Sequence, residues 1–305
     1  MSRSVAAEAA KQDTEGMRNL GLRRKRKLSP FRRLALGTWK TAYDPSVYGG
    51  LTLRAEEALR YIEAFREATG VRLTMTHLMA KAAGAALEAM PDANAILRWG
   101  QIYLRDEIAV CFQVAMRDER TGQIDLSAAR IRQPERKSLA DIARELDSKV
   151  GDVRRDNDPE LGRSRSVYRH VPAPLVGAAL KAISFAGYTL NLDLRRLGVP
   201  RDAFGSVLIT NIGTLGLEEA YPPLVPYTRV PILITMGAVR DAPVVEGGRA
   251  VPGKVLRITA TFDHRILDGS HAAAMVATVR GHFERPFEHF DRLPAPAKSA
   301  QTFPP

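Results

Sequence analysis

The residues best suited to chemistry are His264 and Asp268, which lie four positions apart near the C-terminus of the chain. Histidine is the only side chain whose ordinary pKa lies near neutrality, so it can accept a proton from an attacking thiol or hydroxyl. A lone histidine in a strand is more often a core or turn residue than a base. The residues around His264 therefore decide between the two interpretations.

The pattern of a strand, a turn and a helix positions this histidine. Five residues alternate with polar ones, which is typical of a half-buried strand: Leu256, Ile258, Ala260, Phe262 and His264. Asp268-Gly269 favours a turn, and apolar residues then recur at helical spacing from Ala272 to Phe283. We expect His264 to point inward, with the apolar face of the strand.

A second run, between Ser206 and Gly216, has the pattern of a buried strand that ends in a glycine-containing turn. Its Thr210-Asn211-Ile212-Gly213 stretch and the His264-x-x-x-Asp268-Gly269 motif resemble two motifs of the catalytic core of the dihydrolipoyl acyltransferases of 2-oxoacid dehydrogenase complexes. Chloramphenicol acetyltransferases share that core's fold. The agreement in order and spacing covers roughly the last hundred residues.

The resemblance implies an α/β fold. In this fold, the chloramphenicol acetyltransferase-like two-layer sandwich, helices pack on a mixed β-sheet and the chains form a homotrimer or a larger assembly. We expect a disordered basic tail over residues 1–30, a catalytic domain over 31–295 and a C-terminal tail over 296–305.

The same resemblance implies the role of each site residue. His264 is the general base, Thr210 supplies a hydroxyl to the oxyanion from a neighbouring subunit, and Asp268 completes the catalytic set by holding the loop, with Arg265 as one candidate partner. The residues assigned to substrate binding are Asn211, Arg265 and Gly269.

The implied reaction moves an acyl group between coenzyme A and a thiol such as dihydrolipoamide. The coenzyme A thioester is a substrate, no cofactor is tightly bound, and no metal site is expected. Because the sequence has no lipoyl-domain pattern, a lipoyl group would come from another protein. Two alternatives remain: an acyltransferase acting on a lipid-linked or other small-molecule acceptor at a membrane surface, and a non-catalytic assembly or nucleic-acid-binding protein on the same fold.

Composition limits the class of protein. The chain has 305 residues, of which 45% are hydrophobic, and this is enough for one large domain with added segments. Its only cysteine, Cys111, lies in an apolar run and is expected to be buried and inert. No apolar signal region or membrane-spanning run is present, which predicts a cytoplasmic protein, with peripheral membrane contact as an alternative.

The formal charge of +11 is concentrated in an N-terminal arm. Between residues 18 and 40 there are nine basic residues and no acidic one, which leaves the rest of the chain close to neutral. The arm could bind nucleic acid, acidic lipid or an acidic partner protein, or it could act as a solvated tether or pack on a neighbouring subunit. Because the body is nearly balanced, we do not expect a nucleic-acid partner.

Upstream of the two motifs, helices alternate with strands. Thr52 is a plausible N-cap of a first helix that ends at Gly70, a second helix follows Thr76, and Ser138 begins a third. We predict strands over residues 95–97, 102–104 and 107–116.

An atypical insert is predicted at about residues 152–200, where the resembling family has a short connection. Its first part is highly charged, whereas residues 171–192 carry Lys181 as the only ionised side chain. This apolar run could be a core helix, a subunit contact or an amphipathic hairpin on a membrane surface. Prolines and polar residues interrupt it, so it does not span a membrane, and packing within the core or against a subunit is favoured.

Overall fold

The computed structural model describes residues 45–117, 124–155 and 172–294. The predictions for the basic arm and for the tails at 1–30 and 296–305 lie outside these residues, as does the charged first part of the insert from 156 to 171.

One mixed sheet is the framework of the described structure. Its strands are β1 (Ser46–Arg54), β4 (Ala109–Arg117), β5 (Ile124–Arg132), β6 (Val207–Asn211), β7 (Ile232–Glu246) and β8 (Arg249–Asp263), and a separate hairpin holds β2 (Ala95–Arg98) and β3 (Gln101–Leu104). The strand order in the sheet is β1-β8-β7-β6-β4-β5. The short strand β6 runs parallel to both β4 and β7, whereas the other pairs are antiparallel. The predicted mixed sheet is confirmed.

Helices form a second layer on one face of this sheet. The helices of this layer are α1 (Glu56–Thr69), α2 (Met75–Ala89), α3 (Leu139–Arg154), α5 (Gly269–Glu284) and the short α6 (Pro286–His289), whereas α4 (Ala173–Ser184) lies outside it. Helix α2 lies against α3 and α5. Fully buried side chains fill the core between the layers, and they include Met79, Ile142, Ile209, Leu256 and Phe283. These two layers confirm the predicted α/β sandwich.

The opposite face of the sheet is also partly covered, by the segment from Leu217 to Pro226. Thr261 Oγ1 donates a 2.7 Å hydrogen bond to the Pro222 carbonyl, and Thr259 Oγ1 donates to the Ala220 carbonyl. Both threonines are almost completely buried. The prediction of a half-buried strand was therefore wrong for β8, because a segment without regular structure covers its polar face.

The residues expected to cap helices predicted some helix ends correctly and missed others. Ser138 caps α3 by accepting a 3.1 Å hydrogen bond from the Asp141 N–H, as the sequence predicts. The prediction that Thr52 caps the first helix was wrong: Thr52 pairs with Arg257 inside β1, and the helix begins at Glu56. A cap residue within a strand cannot be recognised without its sheet partner. Strands β1 and β5 were not predicted.

His77, in the first turn of α2, has a structural role. The ring is almost fully buried, its Nδ1 accepts a 3.2 Å hydrogen bond from the Thr74 N–H, and its Nε2 lies 3.8 Å from Asp147 Oδ1. Burial lowers the pKa of His77, although the Asp147 carboxylate opposes this shift.

The lowered pKa predicts a pH dependence of stability. Below the ordinary histidine pKa of about 6.5, the unfolded chain takes up a proton at this position that the folded chain resists, so the free energy of unfolding falls as the pH falls. We expect His77→Gln to lose less stability than the wild type when urea denaturation at pH 5 is compared with pH 7.5. Equal losses in the two proteins would contradict the prediction.

Candidate active site

The chain reverses direction immediately after β8, and this reversal places His264. The Asp263 carbonyl accepts 3.0 Å hydrogen bonds from the backbone N–H groups of Ile266 and Leu267, and the His264 N–H donates a 2.8 Å bond to the Pro45 carbonyl. The backbone of His264 is therefore fixed on both sides, whereas its side chain is exposed. The prediction that His264 points inward was wrong, because the strand alternation ends at Asp263.

Asp263 is the acidic partner of Arg265. Its buried carboxylate accepts hydrogen bonds from the Arg265 backbone N–H at 3.0 Å and from the guanidinium Nη2 at 2.6 Å. This hydrogen-bonded ion pair raises the pKa of Arg265. The sequence suggested Asp268 as the partner and substrate binding as a role for Arg265. The structure uses the guanidinium to satisfy a buried carboxylate two residues earlier.

Asp268 caps α5. Its Oδ1 accepts hydrogen bonds from the Ser270 N–H at 2.8 Å and the His271 N–H at 3.2 Å, and it lies 2.7 Å from His271 Nδ1. The Ser270 hydroxyl, followed by the backbone of His271, holds the pKa of Asp268 well below its usual range. Asp268 thus holds the loop through backbone hydrogen bonds, without Arg265. Gly269, the first residue of the helix, has no positive φ and therefore does not need to be glycine for its backbone conformation.

Asn211 ties the end of β6 to the start of α2. Its Nδ2 donates a 2.9 Å hydrogen bond to Thr76 Oγ1, and its Oδ1 accepts a 3.0 Å bond from the Gly213 N–H. The sequence assigned Asn211 to substrate binding. In the structure both ends of the amide are engaged within the chain, so Asn211 positions the strand that carries Thr210.

Thr210 lies on the face of the sheet that the helix layer does not cover. It pairs with Thr235 on β7, which in turn pairs with Thr259 on β8. The Thr235 hydroxyl is buried and has no hydrogen-bond partner among the described residues. Because aligned residues of neighbouring strands share a face, Thr235 places a second hydroxyl beside Thr210 that sequence reasoning missed.

One chain keeps Thr210 and His264 apart. Thr210 is aligned with Thr259 two strands away, and His264 lies five residues further along the chain. At about 4.8 Å between strands and about 3.3 Å per residue, their Cα atoms are roughly 19 Å apart. A single reacting group cannot contact both side chains of one chain.

Thr210 opens into a cleft of about 910 Å³ whose lining does not include His264. One wall of this cleft comes from the residues around α4.

In the part of the chain that is described, no cluster of His, Cys, Asp or Glu has metal-binding geometry. Cys111 is fully buried, as predicted. The helices within the same ranges are too short or too polar to cross a membrane.

The turn after β6 packs directly on an irregularity in β7. The pairing register of β7 and β8 shifts between Met236 and Val239, and a Cβ atom at Gly237 would lie 1.8 Å from the Glu218 carbonyl oxygen. On either side of Gly237, the Ile212 N–H donates to the Met236 carbonyl at 2.9 Å and the Ala238 N–H donates to the Leu217 carbonyl at 2.9 Å. Only glycine at position 237 allows the two backbones to approach this closely.

The family of the chain follows from comparison with known proteins. A model of the 2-oxoacid dehydrogenases acyltransferase family (catalytic domain) matches residues 24–158 and 201–290. The chain belongs to this family. Both motifs lie inside the match, and residues 159–200 lie outside it.

Individual relatives agree with this assignment. The dihydrolipoyllysine-residue acetyltransferase component of the acetoin cleaving system of Bacillus subtilis is 26% identical over 220 residues, which are 72% of this chain and 44% of that protein. The chain therefore spans less than half the length of this relative.

Solved structures of the family share the fold. The cubic core of the pyruvate dehydrogenase multienzyme complex has a TM-score of 0.59 at 16% identity, covering 88% of this chain and 94% of that one. The dihydrolipoamide acetyltransferase of Azotobacter vinelandii has a TM-score of 0.59 at 17% identity, with coverage of 88% and 94%. The predicted family and fold are confirmed.

Replacing Gly237 with alanine should displace the turn that follows Thr210 and Asn211. We expect Gly237→Ala to lower the free energy of unfolding by about 2 kcal/mol, because the added methyl group overlaps the Glu218 carbonyl. Gly49→Ala is the matched control, since a Cβ atom there meets nothing within 4 Å. Urea denaturation measures both variants, and equal stabilities would contradict the close packing.

Substitutions at Asp268 separate its capping role from its charge. Asp268→Ala removes the acceptor for the first N–H groups of α5 and should cost about 1 kcal/mol of unfolding free energy, whereas Asp268→Asn retains a good cap and should cost much less. Urea denaturation at neutral pH provides the comparison. If the Asn variant is destabilised as much as the Ala variant, the charge and not the cap is what α5 requires.

Proposed function

We propose that this chain transfers an acyl group between coenzyme A and a thiol of the dihydrolipoamide type. Membership of the acyltransferase family supports the reaction class. The B. subtilis relative, which is a dihydrolipoyllysine-residue acetyltransferase, supports the acceptor. The observation that carries the proposal is the position of His264, whose backbone is fixed by hydrogen bonds while its imidazole remains exposed.

In the proposed mechanism His264 is the general base. An imidazole nitrogen takes the proton of the acceptor thiol as its sulfur forms a bond to the thioester carbonyl carbon. When the tetrahedral intermediate collapses, the bond from that carbon to the coenzyme A sulfur breaks and the leaving thiolate takes the proton from His264. The base returns to its starting state, so neither a cofactor nor a metal is needed for the proton balance.

Thr210 is the proposed donor to the oxyanion. Its hydroxyl is roughly 19 Å from His264 of the same chain, by the strand spacings given above. We therefore propose that the site is built between two copies, with His264 from one and Thr210 from the other, as in a homotrimer. The cubic core of the pyruvate dehydrogenase complex, which shares the fold, supports a larger assembly.

The A. vinelandii enzyme offers further support. Its catalytic mechanism was investigated at a serine, a histidine and an asparagine, the last two of which are four residues apart. His264 and Asp268 have the same spacing, and Thr210 retains a hydroxyl. Asp268 replaces an amide by a carboxylate that caps α5, so we propose it as a positioning residue and not as a proton carrier.

We further propose the bounds of the catalytic domain, the carrier of the acceptor and the location of the protein. The catalytic domain spans residues 31–295 with an insert at about 152–200, and the acyl acceptor is a lipoyl group on a separate protein. A cytoplasmic location fits this reaction. The membrane-surface alternative stays a prediction of the sequence, since no contact among the described residues favours it.

Single substitutions test the two chemical roles. We expect His264→Ala to abolish acyl transfer from acetyl-coenzyme A to dihydrolipoamide, and Thr210→Ala to lower kcat by about a hundredfold through loss of the oxyanion donor. Thiol release measures the rate, and size-exclusion chromatography checks that each variant keeps its assembly. Unchanged turnover in His264→Ala would exclude it as the base.

Mixing the two impaired variants tests whether the site lies between copies. When His264→Ala and Thr210→Ala chains are unfolded together and reassembled in equal amounts, roughly a quarter of the interfaces combine an intact His264 with an intact Thr210. Activity should return to about that fraction. If each site used both residues of one chain, no mixture would regain activity.

A further inference from the structure

The cleft at Thr210 has a wall that the family match does not cover. We name residues 172–200 the added segment, since they are the described part of the stretch outside the match. The side chains of this segment that line the cleft include Leu180, Ile183 and Tyr188. A substrate at Thr210 therefore meets side chains that the family model does not represent.

The floor of the cleft is an apolar strip that begins at Thr210. Leu208 precedes Thr210 by two residues on β6, so it shares the same face at a Cα distance of about 6.6 Å. Leu233 pairs with Leu208 across the sheet. All three residues line the cleft. A group whose carbonyl reaches the Thr210 hydroxyl can therefore extend over two leucines.

Hydrogen bonds hold the wall in place. Helix α4 continues into a single π-helical turn, Phe185–Thr189, a feature often found at functional sites. The Arg98 guanidinium donates hydrogen bonds of 3.3 and 3.1 Å to the Thr189 carbonyl, and Arg229 Nε donates a 3.0 Å bond to Ser184 Oγ. The Trp99 ring packs edge-on against Phe185. The cleft is thus preformed before a ligand arrives.

Three of the arginines that line the cleft are paired within the chain. Arg98 donates to the Thr189 carbonyl, Arg105 Nη1 donates a 2.7 Å hydrogen bond to the Ala95 carbonyl, and Arg132 Nη1 lies 3.0 Å from Glu107 Oε2. Burial raises the pKa of Tyr188, which keeps the phenol of the wall neutral. Beside Thr210 the lining residues Leu208 and Leu233 are apolar, so this end of the cleft favours an uncharged acyl chain over a carboxylate such as that of a succinyl chain.

We infer that this cleft binds the acyl chain of the substrate, and that the chain is apolar and larger than acetyl. Its carbonyl lies at Thr210, and its carbons run between Leu208 and Leu233 of the floor and Leu180 and Ile183 of the wall. This inference rests on the proposed function, and it adds the substrate class and the residues that select it.

A series of acyl-coenzyme A substrates tests the inference, with dihydrolipoamide as acceptor and the assembled full chain as enzyme. We expect kcat/KM to rise about fourfold for each methylene added from acetyl to hexanoyl, since each one is buried in the cleft. Succinyl-coenzyme A should react more slowly than hexanoyl-coenzyme A. Equal rates for acetyl and hexanoyl, or a preference for succinyl, would overturn the inference.

Three substitutions on α4 locate the effect. Leu180→Ala removes part of the wall and should lower the hexanoyl to acetyl ratio of kcat/KM by about tenfold. Leu175→Ala makes the same change on the same helix at a side chain that is 57% exposed and does not line the cleft, so the ratio should stay at its wild-type value. Ile183→Trp, which narrows the cleft, should lower the ratio even further. Identical ratios in Leu180→Ala and Leu175→Ala would overturn the assignment of the wall.

Binding of inert thioethers separates this inference from the proposed reaction. By calorimetry, S-hexyl-coenzyme A should bind the wild type more tightly than S-ethyl-coenzyme A, and Leu180→Ala should reduce the difference. If no acyl group is transferred but this preference is present, the proposed reaction fails and the apolar cleft stands. If transfer depends on His264 but the two thioethers bind equally, the reaction stands and the inference about the cleft fails.

Discussion

The reversal of the chain at Asp263 is the interaction on which the candidate site depends. A carboxylate at the end of β8 is buried and must be satisfied, and Arg265 and the local backbone N–H groups satisfy it. The tight turn that results ends the strand one residue before His264. Together with the hydrogen bond to Pro45 and the cap at Asp268, it holds the backbone of an exposed imidazole. Fixing a base in this way lowers the entropy lost when a substrate binds.

The sheet explains why the proposed site is incomplete in one chain. Strand β6 pairs in parallel with β4 and β7, and the register of this pairing fixes the position of Thr210 along the sheet. Because β8 runs antiparallel to β7, His264 lies at the opposite end of these strands from Thr210. Because both positions are fixed by backbone hydrogen bonds across the sheet, no side-chain movement can bring them together. In the proposed mechanism, catalysis by this pair requires association of chains, which would link activity to assembly.

The added segment alters the surroundings of Thr210 without altering its strand. Helix α4 and the π-helical turn lie over a face of the sheet that carries hydroxyl and leucine side chains, and Arg98 and Arg229 anchor them from other elements. A family framework can thus keep its reaction while a new wall changes which acyl group fits. This division between a fixed framework and variable walls is common where one fold serves several substrates.

The sequence by itself determined the family, the two motifs, the mixed α/β layers and the capping of α3 by Ser138. These features depend on local spacing and on the order of residues, which the chain carries directly. It did not determine the direction of His264, the partner of Arg265 or the role of Asn211, because each depends on groups that folding brings near. Thr52 illustrates the reason: its local pattern suits a helix cap, but pairing with β8 places it inside a strand. Only the tertiary structure decided that Thr210 and His264 of one chain lie apart, and that α4 walls the cleft at Thr210, since both follow from strand register and long-range packing.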